Sequence, residues 1–263
     1  VPFEALGALE DILNDIKEHN SLSDIYHRTV MTYGIAESAL AKKIADWEDN
    51  LPEDMHLAYL PNALTGVRLR LSIYGGSKAE QESRIESELK GLKAILGDII
   101  YSEKDDTLES AVGDLLKAYG KTLSTAESCT GGWLSKIITE ISGSSEIFMG
   151  GICSYSNDVK TNVLGVKDET LKAFGAVSEE TAKEMSQGVI KLMKTSVGVG
   201  ITGIAGPNSD NTNKKVGLIF ISITFNDKTD VIKLENNFSD DVRYKNRFTA
   251  VKTVLNFLGN EEL

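Results

Sequence analysis

Apolar residues recur every three or four positions near the start of the chain, at Phe3, Leu6, Leu9, Leu13 and Ile16, and again at Leu40, Ile44 and Trp47. This spacing predicts amphipathic helices over residues 3–18 and 36–47, with Pro52 closing the second. The rhythm then changes to alternation. Residues 55–59 read as one strand and 67–73 as another, with Val67, Leu69, Leu71 and Ile73 facing inward and Arg68 and Arg70 outward. Gly75 and Gly76 end that strand, and a charged helix over residues 78–96 runs on into Ile99, Ile100 and Tyr101. The first hundred residues therefore predict a small α+β module.

Residues 102–106 (SEKDD) carry no apolar periodicity and mark a boundary, giving modules over 1–104 and 105–263. Beyond it helices and strands alternate. Helices are predicted over residues 107–119, 132–141, 158–164 and 179–193 and from about Asp241, and strands over 123–126, 148–154, 197–201 and 216–225. Such alternation predicts an α/β fold, a three-layer α/β/α sandwich in which loops after the strand ends hold the ligand. No repeat of fixed period is present, and the polar run over residues 208–213 reads as a loop.

Composition narrows the class. The chain has 263 residues, 41% hydrophobic and 25% charged, a profile of a folded protein, and no apolar run is long enough to span a membrane. Cys129 and Cys153 form neither a disulfide framework nor a zinc set, which fits a reducing cytoplasm. The opening Val1-Pro2-Phe3-Glu4 lacks both an initiator Met and a signal-peptide layout, so a piece cut from a longer chain is expected. Net charge is −11, and the first 104 residues hold 11 Lys and Arg against 18 Asp and Glu. Nucleic-acid binding needs concentrated positive charge, so this balance disfavours a nucleic-acid partner.

The sharpest chemical pattern is the string TAESCTGGWL over residues 125–134, where a short strand gives way to hydroxyl residues and a helix begins at a double glycine. A serine there has unpaired helix-start N–H groups nearby as donors for an oxyanion. The competing reading is that Ser128 and Thr130 simply cap the helix. Histidines occur only at 19, 27 and 56, so the second module can build neither a Ser-His-Asp triad nor a Cys-His pair. If Ser128 is a nucleophile its base must be another group, and lysine serves when its pKa is depressed. Lys160 is the candidate, on the first turn of a helix where the dipole would disfavour its charge; Tyr155 at the preceding strand end could relay a proton. A solvated surface lysine is the alternative. Glycines at 203 and 206 could form an anion-binding nest or a plain turn closed by Pro207. Arg243 and Arg247 share one face of the last helix and suit phosphate or solvent.

Four ordered strings, residues 125–145 (TAESCTGGWLSKIITEISGSS), 155–160 (YSNDVK), 175–182 (GAVSEETA) and 202–207 (TGIAGP), resemble the C-terminal domain of the competence-damage-inducible (CinA) family. That domain is the nicotinamide mononucleotide (NMN) deamidase domain, also called PncC. The first hundred residues resemble the family's KH-like module through Arg28-Thr29, YGIAES at 33–38 and LAYLP at 57–61. The opening resembles the exit from the family's molybdopterin-binding-like N-terminal domain, which this sequence lacks. The resemblance implies an amidohydrolase of pyridine nucleotide salvage that converts NMN to nicotinate mononucleotide and ammonia with no metal or other cofactor. It implies Ser128 as nucleophile, Lys160 as base and Tyr155 as proton-transfer helper. Thr130, Gly131 and Gly132 would hold the oxyanion, and Ser144, Ser145, Asn157, Gly203, Ile204, Ala205, Gly206, Arg243 and Arg247 would line the nucleotide site. Two strings depart from the commoner family form: residues 239–243 (SDDVR) lack a glycine and run one residue longer, and 208–217 (NSDNTNKKVG) lacks a Lys-Pro-Val-Gly.

The rival expectation is a non-enzymatic nucleotide-binding or competence-associated interaction module whose KH-like half contacts nucleic acid. Against it, GGSK at 75–78 is not the GXXG clamp of a KH domain. The α+β module instead suits a spacer or a homodimer contact through the apolar face of residues 3–16.

Overall fold

The computed structural model describes residues 9, 12–16, 25–62, 66–209 and 212–260. The chain divides into two compact units, Val1–Asp105 and Asp106–Leu263. Of the predicted leading helix, residues 9 and 12–16 are helical, with Leu9, Ile12, Leu13 and Ile16 exposed; the rest lies outside the described residues. Among the described residues no helix is long and apolar enough to cross a membrane.

The first unit contains β1 (Ile25–Thr32), α1 (Glu37–Asp49), β2 (Met55–Asn62), β3 (Gly66–Tyr74), α2 (Lys78–Leu96) and β4 (Ile100–Ser102). Its antiparallel sheet runs β2-β3-β1-β4. Val67, Leu69, Leu71 and Ile73 are buried and pack with Leu40, Ile44, Ile85, Leu89 and Leu92 of the two helices. Alternation is thus realised as predicted on β3. Two strands are additions. β1 hides its character behind His27, Arg28 and Thr29, and those polar side chains find partners: His27 Nδ1 lies 2.7 Å from Ser72 Oγ and Arg28 meets Glu86 at 3.0 Å. Helix α2 stops at Gly97, whose φ of 49° ends the helix, so Ile100 and Tyr101 join β4 instead of extending it.

The second unit contains α3 (Leu108–Ala118), β5 (Leu123–Glu127), α4 (Trp133–Thr139), β6 (Phe148–Cys153), α5 (Asn157–Asn162), α6 (Asp168–Phe174), α7 (Glu179–Met193), β7 (Val197–Gly203), β8 (Leu218–Phe225), β9 (Lys228–Glu235) and α8 (Val242–Asn260). Its sheet runs β6-β5-β7-β8-β9, parallel across β6, β5 and β7 and antiparallel beyond. Helices α3, α4 and α8 pack together on one face, and α7 covers the other. The three-layer α/β/α class and the preceding α+β module are both present. Strand parity sorts the two faces. Thr125 and Glu127 of β5 bond to Ser135 of α4, whereas Ala126 packs against Met185 and Val189 of α7. Helix α6 and strand β9 are additions to the predicted elements; β9 reads poorly because an edge strand carries Lys228, Asp230 and Lys233.

The sequence Val197-Gly198-Val199-Gly200 decides how closely α7 lies on the sheet. A side chain at Gly198 would put its Cβ 2.5 Å from Ser186 O, and one at Gly200 would stand 2.4 Å from Ala182 O. The helix backbone therefore rests directly on β7, and Ser186 Oγ reaches Ser222 Oγ at 2.9 Å and Thr224 Oγ1 at 2.7 Å. Replacing Gly200 by Ala forces the helix outward, and overpacking of this kind costs roughly 1–3 kcal/mol. Urea denaturation of Gly200→Ala is expected to show a lower midpoint with an unchanged slope; a wild-type midpoint would contradict this packing.

Candidate active site

The carboxyl ends of β5, β6 and β7 lie side by side, and the ladder continues one residue past two of them. Ser128 N donates to Ile201 O at 2.9 Å, and Ser154 N donates to Glu127 O at 2.8 Å. Ser128 and Ser154 are thereby fixed by the sheet itself. Helix α5 opens on Ser156, whose Oγ accepts from Val159 N at 3.3 Å, and it sends Lys160 back toward the strand ends. Lys160 is 1% exposed, its Nζ 3.1 Å from Ser128 Oγ and donating to Ser154 O at 2.7 Å.

Burial pushes the Lys160 pKa below its ordinary value, opposed weakly by Cys129 and Cys153. The cause differs from the expected one. Lys160 is the fourth residue of the six-residue α5 and falls within its last turn, and burial rather than the helix dipole is what disfavours its charge most. Adjacent Cys129 is buried and its thiol is pushed up to about 12 by desolvation, which keeps it protonated and unreactive at neutral pH. Cys153, on the edge strand β6, is exposed.

A cavity of about 320 Å³ opens over this pair, lined by Ser128, Tyr155, Asn157, Lys160, Thr202, residues 203–206 and Arg243 together with Ala176, Val177, Asn208 and Ser209. Cavities of about 500 and 590 Å³ elsewhere in the unit hold no nucleophile beside a base. Tyr155 is 62% exposed and its Oη accepts from Arg243 Nη2 at 3.1 Å, while Arg243 Nη1 donates to Gly206 O at 2.9 Å. Arg243 therefore straps the glycine turn to Tyr155.

Several expected site residues stand elsewhere. Helix α4 does not offer its first amides to a ligand, because the buried Glu127 carboxylate accepts from Leu134 N at 3.0 Å, Ser135 N at 2.9 Å and Ser135 Oγ at 2.7 Å. Gly131 N donates to Ser128 O at 3.0 Å, so it is not a free oxyanion donor, and Gly132, with φ of 88°, serves as the helix N-cap residue. Thr130 is fully buried, its carbonyl held by Arg247 Nη2 at 2.7 Å. Arg247 lies over the Trp133 ring at 5.2 Å from its centroid and braces the Ser128 turn from beneath, outside the cavity. Ser144 and Ser145 precede β6, at the opposite end of the strand from Ser154, and do not line the cavity. The sequence reading missed Glu127, Thr202 and the Ser154 carbonyl. A glutamate six to eight residues before a short helix gave the one usable signal, since a carboxylate favours a helix start.

The family description "CinA C-terminal domain" matches residues 105–261, and "Damage-inducible protein CinA KH domain" matches residues 27–102. The chain belongs to the CinA family. It is 39% identical over 259 residues to the CinA-like protein of Cytophaga hutchinsonii, covering 98% of this chain and 61% of that one. It is 45% identical over 225 residues to the CinA-like protein of Flavobacterium psychrophilum, covering 85% of this chain and 54% of that one. The chain thus spans little more than half the length of these curated relatives. Among solved structures, the competence/damage inducible protein CihA from Agrobacterium tumefaciens is 36% identical, with a TM-score of 0.54, over 57% of this chain and 91% of that one.

The Glu127 arrangement gives a direct test of this CinA site's scaffold. Glu127→Ala leaves two helix-start amides without their charge-assisted acceptor, and a bond to a charged group contributes about 1.5–3 kcal/mol. Loss of at least about 2 kcal/mol is expected by urea denaturation, with Glu127→Gln intermediate; wild-type stability in Glu127→Ala would contradict the assignment.

Proposed function

We propose that this chain is a nicotinamide mononucleotide deamidase, hydrolysing the carboxamide to nicotinate mononucleotide and ammonia. The observation that carries the reading is Lys160 Nζ, buried and 3.1 Å from Ser128 Oγ, in a unit without histidine. The neutral amine gives one N–H to Ser154 O and directs its lone pair at the Ser128 hydroxyl. It takes that proton as Oγ attacks the carboxamide carbon, and the resulting ammonium stands beside the new oxyanion. The proton then passes to the leaving nitrogen, with Tyr155 at the cavity mouth as the relay, and ammonia departs. Water, deprotonated by the regenerated Lys160 amine, attacks the acyl ester and releases the acid and Ser128. Arg243 supplies positive charge for the phosphate end of the nucleotide. The scheme routes no step through a metal, and chelators are expected to leave the rate unchanged.

Ammonia release from NMN tests this. Ser128→Ala and Lys160→Ala should each lower kcat about 10³-fold or more while the protein stays folded by circular dichroism. Lys160→Arg should be equally inactive, because a guanidinium does not give up its proton. Near-normal ammonia release by any of the three would sink the assignment.

The pH profile follows from the sign of the Lys160 shift. Only the neutral amine is active, so kcat/KM should rise tenfold per pH unit and level off above the lysine pKa. Burial lowers that pKa, so the plateau should begin below the free-lysine value of about 10.4. A rate that falls with pH across that limb would contradict a lysine base.

A further inference from the structure

The string GAVSEETA carries part of the family resemblance, yet its residues take no part in the chemistry above. It begins in the turn between α6 and α7, where each carbonyl from Phe174 to Val177 has a donor. Ser178 Oγ and Thr181 Oγ1 give to Gly175 O at 3.0 and 2.9 Å, and Thr202 Oγ1 gives to Ala176 O at 2.6 Å. The other two carbonyls share one cation: Lys214 Nζ gives to Phe174 O at 2.7 Å and to Val177 O at 2.5 Å. Gly175 takes a φ of 81°, a backbone conformation that glycine adopts readily, at the point where the chain turns these carbonyls toward the ammonium. Lys214 is therefore seated in a cradle of main-chain oxygens.

The other donors belong to α7, its cap and β7, all parts of the packed layers. Lys214 comes instead from the loop after Pro207, whose Asn208 and Ser209 line the cavity over Ser128. Ala176 and Val177, on the turn Lys214 grips, line the same cavity. Beside the Thr202 bond to Ala176 O, the turn is thus tied to this loop by the Lys214 side chain, which is not itself part of the lining.

We infer that Lys214 is a positioning residue for the reaction at Ser128: its ammonium ties the chain that follows Asn208 and Ser209 to the 174–177 turn and sets the spacing of two pocket walls without touching substrate. The inference rests on the Ser128–Lys160 cavity being the substrate site. A latch of this kind affects substrate and transition state alike, because Ser128, Lys160 and Ser154 are held by the sheet and α5. Loosening it removes uniform binding, which raises KM and leaves kcat in place.

The test uses the full chain with Lys214→Met and Lys214→Arg, assayed for ammonia release from NMN. Lys214→Met is expected to raise KM about tenfold with kcat within about twofold of wild type, and Lys214→Arg to recover most of the loss through its own N–H donors. An unchanged KM in Lys214→Met, or a fall in kcat with no rescue by Arg, would overturn the latch. Hydrogen exchange read by mass spectrometry gives a readout without turnover. Amides of residues 174–178 should exchange faster in Lys214→Met than in wild type or Ser128→Ala, with β8 and β9 unaffected. Wild-type exchange there would also overturn it. Should the wild-type protein release no ammonia from NMN, the proposed activity falls and the exchange result alone decides the latch.

Discussion

Everything at the carboxyl end of the second sheet is arranged around one amine that water hardly reaches. Lys160 is 1% exposed, and a lysine taken out of water favours its neutral form. Its place is defined by two oxygens on different strands: Ser128 Oγ follows β5 and Ser154 O follows β6. A proton can move between amine and hydroxyl only if those strand ends keep their relative height. The main-chain bonds from Ser128 N to Ile201 O and from Ser154 N to Glu127 O do that, by extending the parallel ladder to the two serines that face Lys160. The spacing of Ser128 and Lys160 thus depends first on sheet register.

The two faces of the sheet contribute differently to that geometry. Toward α7 the strand β7 is stripped to glycine at positions 198 and 200, so the helix backbone lies against it, and Ser186 pairs with hydroxyls of β8 beside the apolar contact of Ala126 with Met185 and Val189. Toward α4 the contact is electrostatic. The Glu127 carboxylate takes the first amides of that helix, and Arg247 takes the Thr130 carbonyl, so the turn bearing Ser128 is clamped from both sides. A helix start that looks from sequence like an oxyanion site is instead a hinge pin. Its partial positive charge is already matched by a buried carboxylate.

What the sequence disclosed, and what it did not, follows from the range of each interaction. Helices α2 and α7 are legible to the residue because their apolar periodicity and their Ser77 and Ser178 caps are local. The Ser128 and Lys160 pair is legible by chemistry, since a histidine-free unit leaves few bases. Strands β1 and β9 are not, because their polar residues are matched across the sheet or turned to solvent at its edge. Arg243 and Arg247 share a helix face in sequence, yet one straps the cavity and the other braces the turn below it. Nothing within four residues distinguishes them. Their roles are set by Gly206 and Thr130, which are 37 and 117 positions away.

The same constraint explains why lysine rather than histidine can serve this unit. Histidine titrates near neutrality in open water, so a histidine base tolerates an exposed cleft. Lysine becomes a base only while it stays dry, and an exposed Lys160 would be a fixed cation. The fold must then hold Lys160 under a cavity whose floor is the sheet and whose walls are loops. The floor is secured by backbone bonds, and the ladder of β7 reaches Gly203 and Ile204, but the walls at 174–177 and 205–209 lie beyond the strands. Arg243 and Lys214 supply that closure by donating to main-chain carbonyls of those loops. Two long cationic side chains do for the walls what the parallel strands do for the floor. A buried lysine base therefore brings with it a demand for loop clamps that a histidine site does not impose.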